Sequence, residues 1–319
     1  IAGGKSPADP DTTSLVILQL QPLSASDATV ASALAKAKTW LLARQHADGS
    51  FNGGTSTNTP NANSTGLAGW ALGELGDTSA AAKAAQWVRN HQVQPLSGCA
   101  TKVDKQKGAI AYDTAALTAG RKSGITTDTR DQWRRAASQS VPVLKWLPAQ
   151  ARPTLSAPAG YLRAGSTTTV AAKHGVAGST VCIAVASTKV LRVVASGGTA
   201  QARVTLPAGT AHRTVRLTDG TVTRTATVKV LGKKVLTVKV PAKAKRGATV
   251  TVRISGLAPN EKLTVRRGST IVKHASANAH GKRWVTVSVG KKVQRVKISV
   301  QGQFPKIRKG ADTVKVTKR

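Results

Sequence analysis

The chain has 319 residues, 48 Lys and Arg against 13 Asp and Glu, and a formal net charge of +35. It contains no apolar run of about 18 residues, the length a membrane-crossing helix needs. It also lacks a Cys-x-x-Cys pair, a glycine-rich phosphate loop and a nucleophile elbow, which leaves phosphate-loop hydrolysis and serine-hydrolase chemistry without support.

In chain order, the first recurring piece is Asp11-Thr12-Thr13-Ser14-Leu15-Val16-Ile17-Leu18. Asn63-Ser64-Thr65-Gly66-Leu67-Ala68-Gly69-Trp70 matches it, and Asp113-Thr114-Ala115-Ala116-Leu117 is a looser copy. Each opens with a short polar side chain suited to capping a helix. Each then runs small and apolar nearly all round, as in a helix buried on most sides. Segments 28–45, 79–92 and 129–147 carry more charge and read as exposed partner helices. Residues 1–150 are thus predicted to hold three helical hairpins.

Within them, Lys36-Ala37-Lys38-Thr39-Trp40-Leu41-Leu42-Ala43-Arg44-Gln45-His46-Ala47-Asp48-Gly49-Ser50-Phe51 recurs 47 residues on as Lys83-Ala84-Ala85-Gln86-Trp87-Val88-Arg89-Asn90-His91-Gln92. The second copy lacks the Gly-x-aromatic tail. A period of that length marks a repeated supersecondary unit. The pattern resembles the QW repeat of the squalene-cyclase and prenyltransferase superfamily. That resemblance implies an α/α toroid, with Trp40 and Trp87 as structural staples and Gln45 tying its helix end to the next turn. The stretch opens at Ile1-Ala2-Gly3-Gly4, mid-loop on this reading. The expectation is therefore a partial toroid, the C-terminal part of a ring, with the remainder and a signal peptide outside this sequence or lost from a mature fragment.

Asp9-Pro10-Asp11-Thr12-Thr13 resembles the Asp-x-Asp-Asp-Thr acid motif of terpene cyclases, with Thr12 in place of the last Asp. It makes Asp11 the one catalytic candidate. The simpler reading is that Asp11 caps a helix, because Asn63 stands at the matching position of the next repeat. The prenyltransferase resemblance implies a zinc set of Cys99, Asp104 or Asp113, and a histidine from His46, His91, His174, His212, His274 or His280. No ligand spacing surrounds Cys99, so no metal and no cofactor is expected. Cobalamin carriers, which join a toroid to a β-domain, are a looser resemblance. They imply a small-molecule site at the ring mouth, near Asp11, Asn63, Trp70, Tyr112 and Asp113.

Composition changes near Gln150. Residues 1–150 hold 15 basic and 10 acidic residues, and residues 151–319 hold 33 and 3. The second part alternates apolar and polar residues with period two, as in Val250, Val252, Ile254 and Val296, Ile298, Val300, the mark of half-buried strands. Arg163 to Val170 matches Lys245 to Val252, about 82 residues on, and Gly175 to Gly178 matches Gly256 to Pro259. Two β-sandwich modules follow, 151–231 and 232–319, in turn text that resembles bacterial immunoglobulin-like modules. Cys182 alternates with Val181 and Ile183 as a buried small residue would. Cys99 precedes the third inner helix. Pairing between them, or with a cysteine outside this sequence, stays open.

Residues 232–319 carry 23 basic and 2 acidic residues, against 10 and 1 in 151–231. Such a surface attracts polyanions. The candidates are Lys243, Lys245 and Arg246 on one turn, Arg266 and Arg267 on another, and Lys291 and Lys292 on a third. Few aromatics accompany them, so no specific nucleic-acid recognition is expected. The expectation is a non-enzymatic, exported bacterial surface or secreted protein. Its toroid is a recognition scaffold, and its basic modules meet an anionic envelope polymer or glycan. The alternative is a truncated terpene-cyclase-like enzyme or a carrier of a prenyl chain or other small hydrophobic ligand at the toroid mouth.

Overall fold

The computed structural model describes residues 8–318. Six α-helices come first: α1 (Pro10–Leu20), α2 (Ala28–Leu42), α3 (Ala62–Glu74), α4 (Thr78–Asn90), α5 (Thr114–Ser123) and α6 (Thr127–Ser140). A 3-10 turn, Val141–Trp146, closes this helical part. Each inner helix starts where a side-chain oxygen takes a free first-turn N–H. Asp9 accepts from Thr12 N at 2.9 Å, Asn61 from Ser64 N at 2.9 Å and Asp113 from Ala116 N at 2.7 Å. The caps are therefore Asp9, Asn61 and Asp113, spaced 52 residues apart. Asp11 and Asn63 lie two residues inside their helices and do not cap them, contrary to the sequence expectation. Pro10 at the first helical position explains the shift for α1, since its fixed φ and missing N–H suit that place.

Helix α3 is the hub, with α1, α4, α6 and the closing 3-10 turn packed around it. Its glycines make room for them. A Cβ on Gly66 would lie 2.3 Å from Ser140 Cα, one on Gly69 2.4 Å from Ala84 Cβ, and one on Gly73 2.2 Å from the Trp146 ring. Interior helical glycine costs about 1 kcal/mol against alanine, and the close approach offsets it. Helix α5 does not match the expected buried inner helix, since only Leu117 and Gly120 are buried. Its exposed threonine and lysine side chains keep it at the surface, and α6 takes the place beside α3. Leu15 and Val16 of α1 are also half exposed.

The Trp-Gln pattern shows its use here. Gln45 Nε2 donates to Gly49 O at 3.1 Å and to Ala80 O at 2.9 Å, tying the end of α2 to the start of α4. Gln92 Nε2 donates to Gly108 O at 2.9 Å. Trp87 is buried and stacks on His91 with ring centroids 3.7 Å apart, while Trp40 is half-buried with the Arg44 guanidinium 3.6 Å from its centroid.

Every later regular element is a strand apart from short turns. The first set is β1 (Thr154–Ser156), β2 (Tyr161–Arg163), β3 (Thr167–Lys173), β4 (Thr180–Val185), β5 (Thr188–Val193), β6 (Ala200–Thr205), β7 (Ala211–Thr218) and β8 (Thr223–Leu231). The second is β9 (Lys234–Val235), β10 (Thr237–Lys239), β11 (Lys243–Lys245), β12 (Thr249–Ser255), β13 (Lys262–Arg267), β14 (Thr270–Ser276), β15 (Arg283–Ser288), β16 (Arg295–Gly302) and β17 (Arg308–Thr317). Sheets β1-β3-β6 and β2-β8-β7-β4-β5 form the first set. Sheets β10-β12-β15 and β11-β17-β16-β13-β14 repeat that order, with β9 added beside β17. All pairings are antiparallel except β2 with β8, β11 with β17 and β9 with β17. Period-two alternation puts Val250, Val252 and Ile254 on the inner face and Thr251 and Arg253 outside. They share one core with Val265, Ile298, Val300 and Val314 of the other sheet. Val170, Ala202 and Val204 meet Val181, Ile183, Val215 and Val230 in the same way.

Side-chain links join these parts. Cys99 and Cys182 form a disulfide, which resolves the open pairing and leaves no Cys99 thiolate for a zinc set. Asn90 Nδ2 donates to Ala177 O at 2.9 Å. Tyr161 Oη donates to Pro259 O at 2.8 Å, and Gln303 Nε2 to Tyr161 O at 3.1 Å. Ala177 and Pro259 occupy equivalent turns of the two sets, 82 residues apart. In them Ser179 N donates to Val176 O and Glu261 N to Ala258 O, each at 3.1 Å. Gly178 and Asn260 take their positive φ, +77° and +58°. This register sets Gly178 against Asn260, one residue off the sequence match of Gly175–Gly178 with Gly256–Pro259.

Candidate functional site

Two places gather the residues singled out from the sequence. The first is the cluster of inner-helix starts. Ala62 N donates to Tyr112 O at 2.7 Å, which sets Tyr112 and the cap Asp113 beside the start of α3. Asp11 Oδ1, Asn63 Oδ1 and Ser64 Oγ are buried without a hydrogen-bond partner. Burial pushes the Asp11 carboxyl up, the Ser64 hydroxyl beside it opposes this without reaching hydrogen-bond geometry, and the Asp9 charge adds to the rise. Burial also raises the Tyr112 phenol, helped by Asp113 and Asp11 and opposed by Arg135. Trp70 does not join this group. It lies seven residues further along α3 than Asn63, half-buried, with Nε1 donating to Glu74 Oε1 at 2.9 Å.

His91 belongs to the packing behind it. Its Nδ1 lies 2.9 Å from Trp87 O and its Nε2 3.0 Å from Thr114 Oγ1, and burial lowers its pKa.

The second place is one end of the 232–319 sheets. Gly247 N donates to Gly290 O at 2.7 Å, Arg246 N to Thr317 O at 3.1 Å, and Gly268 N to Lys297 O at 2.9 Å. These bonds draw three connections together, and with them Lys245, Arg246, Arg266, Arg267, Lys291 and Lys292. Lys243 sits two residue pairs from Lys245, opposite Lys315 on β11 and β17. Lys243 and Lys245 are strand residues rather than turn residues, as are Arg266 and Arg267. A register shift between Val265 and Arg266 changes the alternation there. Both arginines become half-buried and turn back on the backbone: Arg266 Nη1 donates to Ser269 O at 2.7 Å and Arg267 Nη1 to Ser288 O at 2.9 Å. They build the tip as much as they charge it. Arg295, Lys297 and Lys315 reach the same end and were missed from sequence, though their alternation in strands marks them as outward.

Neither acidic residue of this region offsets that charge. Glu261 lies at the opposite end, fully buried, in a paired contact with Arg308: Nε to Oε1 and Nη2 to Oε2, both 2.7 Å. Arg308 also donates to Gly232 O and Gly256 O at 3.2 Å each. Asp312 Oδ2 accepts from Val240 N at 2.9 Å in mid-strand. On the outer face of β15, Trp284 is 67% exposed, with the Arg253 guanidinium 5.6 Å from its ring centroid.

No family model and no curated protein matches the chain. Solved structures similar to it include the Yersinia pseudotuberculosis adhesin InvE, at 16% identity and TM-score 0.26, covering 53% of this chain and 60% of that one. The fibronectin(III)-like modules of Clostridium thermocellum CbhA match at 16% identity and TM-score 0.29, covering 53% and 94%. Red sea bream transglutaminase matches at 13% identity and TM-score 0.23, covering 66% and 38%. Scores this low carry no weight for function.

Proposed function

We propose that the chain is a non-enzymatic, exported bacterial surface or secreted protein that contacts anionic polymers of a cell envelope through its basic C-terminal tip. On this reading residues 1–150 are a partial α/α toroid acting as a scaffold. Residues 151–231 and 232–319 are immunoglobulin-like β-sandwiches. The supporting observation is the convergence of Lys245, Arg246, Lys291 and Lys292 at one end of β-sheets whose two carboxylates are engaged elsewhere. Exposed charge of this kind acts over roughly 8–10 Å at physiological salt and gives binding with little stereochemical preference. Sedimentation of the full chain with purified cell wall tests it. Retention at low salt and release in about 1 M salt, where screening shortens to about 3 Å, is expected. Undiminished retention at high salt would overturn the electrostatic reading.

A second reading, a small-ligand site at the helix starts, draws on the three unpaired atoms of Asp11, Asn63 and Ser64. Buried polar atoms are normally satisfied, so a polar group from a ligand would complete them. Turnover of a polyprenyl substrate, lost in Asp11→Asn, would favour an enzyme over a carrier.

A further inference from the structure

Between the helical part and the first set of sheets lies a cavity of about 60 Å³. Arg89, Gln94, Arg121 and Gln150 line it from the helical side, and Thr180 and Thr221 from the sheets. Both arginines are half-buried. Arg121 Nη2 donates to Thr180 Oγ1 at 3.0 Å, and Arg89 Nη1 donates to Gln92 Oε1. Among the described residues neither has a carboxylate within 4.0 Å. Asp219 also borders the cavity, its Oδ1 accepting from Thr221 N, Thr221 Oγ1 and Val222 N at 2.8–2.9 Å; its charge remains and is what the two arginines must outweigh. Burial pushes both guanidinium groups down, and the Asp104 charge partly opposes this for Arg121.

A partly desolvated cation with no carboxylate in contact is held at some cost. Two of them facing one cavity, each with most of its N–H donors free, form a fork-like receptor of the kind that takes oxyanions in bidentate fashion. The volume fits such a group, since one water needs only about 10–15 Å³ on this measure. Seams between structural units are common places for small-ligand sites. We propose that this cavity binds a small oxyanion of phosphate size, with Arg89 and Arg121 as its cationic donors and Thr180 positioning Arg121. The bound ion joins the helical part to the first β unit, beside the disulfide that already links them. The site is remote in sequence from the basic tip and does not depend on it.

The test uses the full, disulfide-intact chain and inorganic phosphate at constant ionic strength, with acetate as a second probe to separate tetrahedral from planar oxyanions. Calorimetry should show one saturable site above the weak, non-saturating background of the tip. Arg89→Gln and Arg121→Gln should each weaken it at least tenfold, Arg89→Lys less, and Lys291→Gln/Lys292→Gln not at all. Hydrogen exchange on the unmodified protein provides a readout that does not depend on any variant folding. Phosphate should slow exchange in 89–94 and 177–181 and leave 289–295 unchanged. Acetate binding as tightly as phosphate would replace the tetrahedral assignment with a carboxylate one. Absence of a saturable site, or equal phosphate affinity in both glutamine variants, would overturn the proposal.

Discussion

The two sets of sheets have one strand order and surfaces of unequal positive charge. Both bury valine, isoleucine and alanine at alternate positions of matching strands. Yet residues 151–231 carry 10 basic residues and 232–319 carry 23. Inner-face residues fix which strands pair, because a one-residue slip would turn the apolar face to water. Outer-face residues are free of that constraint. The difference between the units is therefore a difference of surface and of joints, and each of these can be altered separately.

The largest effect is expected at the ion pair that only the second unit has. Arg308→Met leaves the buried Glu261 carboxylate without its cation, held only by the N–H groups of Ala258 and Gln303, and breaking such a pair costs about 3–5 kcal/mol. The double variant Arg308→Met/Glu261→Gln should recover much of that loss in chemical denaturation. A single variant as stable as the parent would show that the pair is not what distinguishes the second core. Next is the clamp that only the first unit has. Cys99→Ala/Cys182→Ala should lower stability by about 2–4 kcal/mol, as is typical for a native disulfide. The loss should appear in the transition of the helical part and first unit, with the second unit's transition unmoved.

The joint between the units is weaker. Tyr161→Phe removes one hydrogen bond to Pro259 O, about 0.5–1.5 kcal/mol, and should raise hydrogen exchange in 257–261 without unfolding either core. The smallest change in stability belongs to the tip. Lys291→Gln/Lys292→Gln should stay within about 0.5 kcal/mol of the parent. It should reduce the slope of log K against log salt concentration, by about 0.9 per lost contact if the polyanion behaves like duplex DNA. An unchanged slope would remove these two lysines from the contact.

Much of this architecture was legible in residue order. The alternation around Val250 and Val296 placed the inner faces, and three similar polar–apolar runs marked α1, α3 and α5. The helix starts were read two residues late. Asp11 and Asn63 align with each other as well as Asp9 and Asn61 do, and only the 52-residue step onward to Asp113 separates the two phases. The packing order was not legible. Whether α5 or α6 lies beside α3 turns on Gly66 meeting Ser140, a contact between residues far apart in sequence. The Glu261–Arg308 pair, 47 residues apart, is hidden for the same reason, and in sequence its members look like two more surface charges. The basic turns were visible, but the irregularity at Val265–Arg266 was not. It converts two apparent surface cations into half-buried supports. The seam cavity needed the fold itself, because Arg89 and Arg121 carry no local signal that they face the same space as Thr180.

The parallel pairing of β2 with β8, and of β11 with β17, decides how these units respond to force. In each unit the early strand and the final strand run side by side in the same direction. A pull along the chain draws one back and the other forward. Their hydrogen bonds are then loaded together, in shear, rather than opened one after another like a zipper. With the disulfide reduced, tension along the chain would pass through two such shear contacts in series; with it formed, load crosses from Cys99 to Cys182 on β4 and bypasses β2, leaving the β11–β17 contact as the one in shear.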